Sequence, residues 1–90
     1  MMQQEFESLF QFPCPFPIKI MGEKNSQLLD IVKKIFNDQK IDLAQAEFTK
    51  RLSSGEKYVS ITVIFTAESR VQLDELYQAL TKVPEIKMVL

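Results

Sequence analysis

Residues 58–67, Tyr58-Val59-Ser60-Ile61-Thr62-Val63-Ile64-Phe65-Thr66-Ala67, alternate without a break. Val59, Ile61, Val63 and Phe65 fall on one side, and Tyr58, Ser60, Thr62, Ile64 and Thr66 on the other. A period of two with β-branched and aromatic residues is the pattern of a strand with one face on a core. Immediately before it, Ser53-Ser54-Gly55-Glu56 reads as a turn, with Gly55 free to take a positive φ. Before that turn, residues 45–53 alternate again. Ala46, Phe48 and Leu52 share one side with Lys50, and Glu47, Thr49 and Arg51 share the other. The two stretches form a β-hairpin. A lysine on the apolar side suits an edge strand, where it discourages unwanted pairing.

On the C-terminal side of the hairpin, Ser69 followed by Gln72 is a capping box. Leu73, Leu76, Tyr77, Leu80 and Val83 continue a helical stripe that Pro84 ends. Ile86, Met88 and Leu90 then alternate with Lys87 and Val89 as a final short strand over 86–90. On the N-terminal side, Phe16, Ile18 and Ile20 alternate with Pro17, Lys19 and Met21 over 15–21, and Gly22 closes that strand. Pro17 has no N–H, so it must stand where the ladder needs no donor. Asn25 or Ser26 can cap a helix running to about Asp38, with Leu28, Ile31, Val32, Ile35 and Phe36 as its apolar stripe.

The order is β-α-β-β-α-β, so the expected fold class is α+β. It is a ferredoxin-like sandwich with a four-stranded antiparallel sheet of order 4-1-3-2 and two helices on one face. One domain over 1–90 is expected, with 1–14 an N-terminal apolar segment and 15–90 the βαββαβ core. In the segment, Met2, Phe6, Leu9 and Phe10 are spaced as one helical stripe. The Phe6, Leu9, Phe10 and Phe12 cluster is expected to fold back on its own domain rather than to dock on a partner. The expected core is Ile18, Ile20, Leu28, Val32, Ile35, Phe48, Val59, Ile61, Val63, Phe65, Leu73, Leu76, Leu80 and Met88.

Absences narrow the chemistry. The chain has no histidine, which removes Ser–His and Cys–His nucleophile pairs and the commonest base near neutral pH. The single cysteine, Cys14, makes neither a disulfide framework nor a cysteine-rich metal site. It reads as a small, partly buried apolar residue between prolines. Asp74 and Glu75 are neighbours on a helix and point apart, so they are not a catalytic pair. No Gly-rich phosphate loop is present. No enzyme activity, cofactor or metal is expected. The start of the chain carries Glu5 and Glu7 where a signal peptide needs basic and then apolar residues, and no run approaches the ~18 apolar residues of a membrane span. A cytoplasmic location without membrane association is expected.

Four sequence stretches resemble one family. LFQFPCPFPIKIMG at 9–22, YVSITVIFTA at 58–67, LYQAL at 76–80 and KMVL at 87–90 together resemble the YbeD family of small bacterial proteins, nearly end to end. That resemblance implies a fold similar to ACT-like regulatory domains and brings no catalytic residues with it. ACT-like domains often bind amino acids or related small ligands near the first strand–helix loop, which here is Met21-Gly22-Glu23-Lys24.

The face of the sheet away from the helices is the candidate binding surface. Alternation places Lys19 and Met21, Glu47, Thr49 and Arg51, Tyr58, Ser60, Thr62 and Ile64, and Lys87 and Val89 there. Three cations against one carboxylate is a local excess in a chain of net charge -1, and Lys19, Arg51, Tyr58 and Lys87 are its centre. Nucleic-acid binding is disfavoured, because Tyr58 is the only aromatic ring on the face. The expected function is a non-catalytic regulatory or adaptor domain acting through a protein partner, with a homo-oligomer or a small-ligand sensor of the ACT type as the alternatives.

Overall fold

The computed structural model describes residues 11–24, 27–52, 55 and 57–90. Strand β1 (Cys14–Glu23) leads to helix α1 (Leu28–Asp38) and a 3-10 turn (Leu43–Gln45). Strands β2 (Glu47–Leu52) and β3 (Tyr58–Ala67), helix α2 (Arg70–Thr81) and strand β4 (Ile86–Val89) follow. The four strands form one antiparallel sheet in the order β2-β3-β1-β4, the order expected from the sequence. Met2, Phe6, Leu9 and Phe10, and the capping positions Asn25 and Ser26, lie outside the described residues. So do Ser53, Ser54 and Glu56 of the hairpin turn, where Gly55 has φ 83°.

β1 and β3 form the centre, paired without a break from Cys14↔Ala67 to Glu23↔Tyr58. Their inner faces carry Ile18, Ile20, Val59, Ile61, Val63 and Phe65, all buried, against Leu28, Val32 and Phe36 of α1 and Leu73, Leu76 and Leu80 of α2. Phe65 receives the edges of Phe36 at 5.2 Å and Phe16 at 6.2 Å between ring centres. Edge-to-face aromatic packing of this kind adds to the area term. Cys14 is half-buried opposite Ala67, as its apolar reading requires.

Lys19 exchanges both backbone hydrogen bonds with Leu90, at 3.0 and 2.8 Å. Amide direction alternates along a strand, so Pro15 and Pro17 also turn toward the β4 side. Among the described residues no strand pairs with β1 at Pro15 and Pro17 on that side, so the missing proline donors cost no ladder bond there.

Several expectations change. Ile35 and Phe48 are half-buried rather than core, and Phe48 lies under the Lys33 ammonium at 5.4 Å. Ile41, Ala67 and Ile86 are buried instead. Ile41 is drawn in by the end of α1, where Ile41 N–H donates to Phe36 O and Lys40 N–H to Asn37 O, both at 3.0 Å, with Lys40 at φ 62°. This is the paired-bond helix stop that usually has glycine at the left-handed position and an apolar residue after it. Lys40 hides it in the sequence. The residue before α1 is Gln27, left-handed and without a side-chain cap. At α2 the capping box forms with a shift: Ser69 Oγ accepts from Gln72 N–H at 3.1 Å, and Gln72 Oε1 accepts from Glu68 N–H at 2.8 Å.

The largest change is in β4. Met21 pairs with Met88 but Gly22 pairs with Ile86, so Lys87 is an extra residue in the ladder. A bulge of this kind shifts the alternation by one. Met88 therefore leaves the expected core and is 50 % exposed, and Val89 packs against the core instead of lying on the open face. Gly22 permits the crossing. A Cβ there would stand 2.6 Å from Glu85 O and 2.9 Å from Leu28 Cδ1.

Candidate functional site

The registers fix which side chains share the open face. One row runs Arg51, Ser60, Met21, Met88; the next runs Thr49, Thr62, Lys19, Leu90; a third runs Glu47, Ile64, Pro17. At the far end, Glu23 lies opposite Tyr58. Lys19 and Arg51 are exposed, as expected. They stand on strands separated by β3, roughly 10 Å apart across the sheet. Lys87, placed in the bulge, reaches back across the end of β1 to Glu23, with Nζ 3.5 Å from Oε1.

That ion pair alters the charge of the surface. β1 runs two residues further than the expected 15–21 at its C-terminal end, and so brings a second carboxylate, Glu23, onto the face beside Tyr58. The excess of three cations over one carboxylate becomes three over two. The cations do not converge on a point. They are spread over a shallow surface whose apolar part was underestimated: Ile64 is 40 % exposed, Met88 50 % and Leu90 62 %. Met88 and Leu90 escaped the sequence reading because both depend on the bulge phase. A bulge leaves no local signal when the extra residue is an ordinary lysine.

Two of the clefts among the described residues are of interest beside this face. One, of about 260 Å³, sits at the β1–α1 junction between Lys24, Gln27, Asp30, Lys50 and Val59. Another, of about 250 Å³, is lined by Lys40, Asp42, Gln45, Thr66, Glu68 and Gln72. Asp42 is engaged there, since its carboxylate accepts from Ala44 N–H at 2.9 Å. Among the described residues no group of three or more His, Cys, Asp or Glu side chains could hold a metal ion, and no helix is long and apolar enough to cross a membrane.

This architecture, two helices on one face of a β2-β3-β1-β4 sheet, defines a small ferredoxin-like α+β domain. It is similar to the solution structure of protein HP0495 from H. pylori, with a TM-score of 0.74 at 12% identity, covering 90% of this chain and 85% of that one. It is also similar to the ACT domain from GTP pyrophosphokinase of Chlorobium tepidum, with a TM-score of 0.61 at 18% identity, covering 84% and 94%. The chain belongs to the family described as "Protein of unknown function (DUF493)", whose model matches residues 7–90, and this is the family that the sequence resembles. Among its relatives, a UPF0250 protein of Chromobacterium violaceum is 43% identical over 89 residues, covering 99% of this chain and all of the relative. A UPF0250 protein of Paraburkholderia phytofirmans is 44% identical over 86 residues, covering 93% and 94%.

Proposed function

We propose that the protein is a non-catalytic regulatory or adaptor domain that works by binding another protein through the open face of its sheet. The observation that carries this reading is the composition of that face. Ile64, Met88 and Leu90 are exposed on the same face as Tyr58 and the cations Lys19 and Arg51. Apolar side chains set among a few charges suit a protein partner with an apolar centre and acidic rim. The spread of the cations over a shallow surface argues against a small anion, which needs converging donors.

The test uses the purified chain as bait. One stoichiometric partner retained by the natural protein, and lost when Lys19→Glu and Lys87→Glu are combined with Ile64→Asp, supports the reading. Equal retention by natural and altered chains removes the open face as the contact.

The second reading is a small-ligand sensor of the ACT type, favoured by the cleft at the β1–α1 junction. Its position beside Lys24 matches the loop that the family resemblance points to. A thermal-shift screen against amino acids and related metabolites tests it. A saturable, specific shift that Lys50→Ala or Asp30→Ala abolishes would favour the sensor over the adaptor.

A further inference from the structure

The apolar side chains of the open face are not scattered. On β1, Pro15, Pro17 and Met21 share that face, and the bulge adds Met88 and Leu90 beside them. Pro15 and Pro17 are exposed, as are Met88 and Leu90. Ile64, opposite Pro17 on β3, widens this strip at one end. The hydroxyl groups of Thr49, Ser60, Thr62 and Thr66 fill the β2–β3 half. The face is thus divided lengthwise, polar over β2 and β3 and apolar over β1 and β4. From Pro15 to Met21 the strip is ~20 Å long, and from β4 to Ile64 it is ~10 Å wide.

A further strand is a poor occupant from the β4 side. Pro15 and Pro17 turn toward that side and have no N–H to donate. Lys19 is already bonded to Leu90 through its backbone. Met88 follows the alternation of Leu90 and turns its backbone groups to β1 as well, so among the paired residues past the bulge only Val89 turns outward. One residue beside a bulge is too short an edge for strand addition. The occupant of the strip must therefore bind through side chains.

We propose that the protein partner presents an amphipathic α-helix to this strip, laid along β1 and β4 with an acidic flank toward β2. The dimensions agree, because an α-helix is ~10 Å across and ~14 residues of it span ~20 Å. Lys19 stands in the middle of the strip and Arg51 lies two strands away, both exposed. The Lys19 stem extends the apolar surface while its ammonium reaches the helix flank. Glu47 sits on β2 at the Pro17 end, so the partner's carboxylates belong beside Lys19 and Arg51, toward the Met21 end. This inference rests on the partner reading and names the element that the partner brings.

The probe is a synthetic peptide of about 14 residues, locked helical by a lactam, with leucines at i, i+4, i+7 and i+11 and glutamates along one flank. It is titrated into the full chain and followed by NMR. The methyl signals of Met21, Met88 and Ile64 should shift together and saturate with a Kd on the order of 100 μM. Exchanging the glutamates for lysines should weaken binding by about tenfold or more at low salt. Met88→Asp should abolish binding with circular dichroism unchanged, because this side chain is exposed. A peptide of alternating threonine and valine, which binds as a strand, should leave these signals in place. The proposal is overturned if the helix moves none of the three methyls, if its lysine version binds equally, or if the strand peptide shifts β4 instead. It is also overturned if the methyls shift with chain concentration alone, because a second copy is then the occupant. Competition in the bait experiment separates the two readings. A partner displaced by the helical peptide supports both. A partner lost on combining Lys19→Glu, Lys87→Glu and Ile64→Asp, yet not displaced by the peptide, leaves the open face as the contact and removes the helix. A partner retained by the altered chain removes both.

Discussion

Met88 stands opposite Met21 on the open face of the sheet, one step past the bulge that puts Gly22 opposite Ile86. The pairing divides β4 into an inward residue, Ile86, 8 % exposed, and an outward one, Met88. Ile86→Ala should therefore lower stability by about 2 kcal/mol, while Met88→Ala should change it by no more than about 0.5 kcal/mol. Urea denaturation of both variants measures the difference. Equal losses would mean that β4 runs without the bulge.

Gly22 is held by space and not by its backbone angle. A methyl group there meets the Glu85 carbonyl and Leu28, and the carbonyl belongs to the chain entering β4. Gly22→Ala should cost about 1–3 kcal/mol through overpacking. Gly55→Ala meets nothing within 4 Å and should cost only the left-handed backbone penalty, about 1 kcal/mol. Thermal unfolding of the two variants, side by side, checks the order.

Lys40 occupies the left-handed position after α1 at φ 62°. Lys40→Gly keeps the hydrogen bonds that Ile41 and residue 40 make to Phe36 and Asn37 and relieves the Cβ strain. Stability should rise by up to about 1 kcal/mol. A loss of stability in urea denaturation would show that the lysine side chain contributes more than its backbone conformation costs.

The exposed Lys87–Glu23 pair contributes little to folding, since surface ion pairs are worth at most about 1 kcal/mol. Lys19→Glu with Lys87→Glu should leave the melting temperature nearly unchanged. Association with an acidic partner should slow, most at low salt. If the double reversal unfolds the chain, these side chains are structural and the open face is not the contact.

Burial raises the Tyr77 phenol above its ordinary value near 10. The folded chain thus holds this proton more tightly than the unfolded one. The associated stability is fully present below the unfolded value and is lost as pH rises through the folded one. In paired unfolding curves taken from neutral to strongly alkaline pH, natural protein should lose stability faster than Tyr77→Phe above about pH 10. Parallel curves would place the phenol in water.

Local periodicity determined much of this protein. The alternation of 58–67, the stripes of Leu28, Val32 and Phe36 and of Leu73, Leu76 and Leu80, and the turn at Gly55 are short-range signals, because each reflects one element meeting one core. The order of elements then left few topologies, and β2-β3-β1-β4 is the one adopted. The tertiary structure alone decided what depends on two strands meeting. The bulge at Lys87 lies where β4 passes Gly22, beside Glu85 and Leu28, and it turns Met88 outward and Val89 inward. The same contact brought Glu23 to Lys87 and reduced the cationic excess of the open face. The outward turn of the Val89 backbone follows from the hydrogen bonds between β4 and β1. No single stretch of sequence carries that information, since amide direction at an edge is a property of the whole ladder.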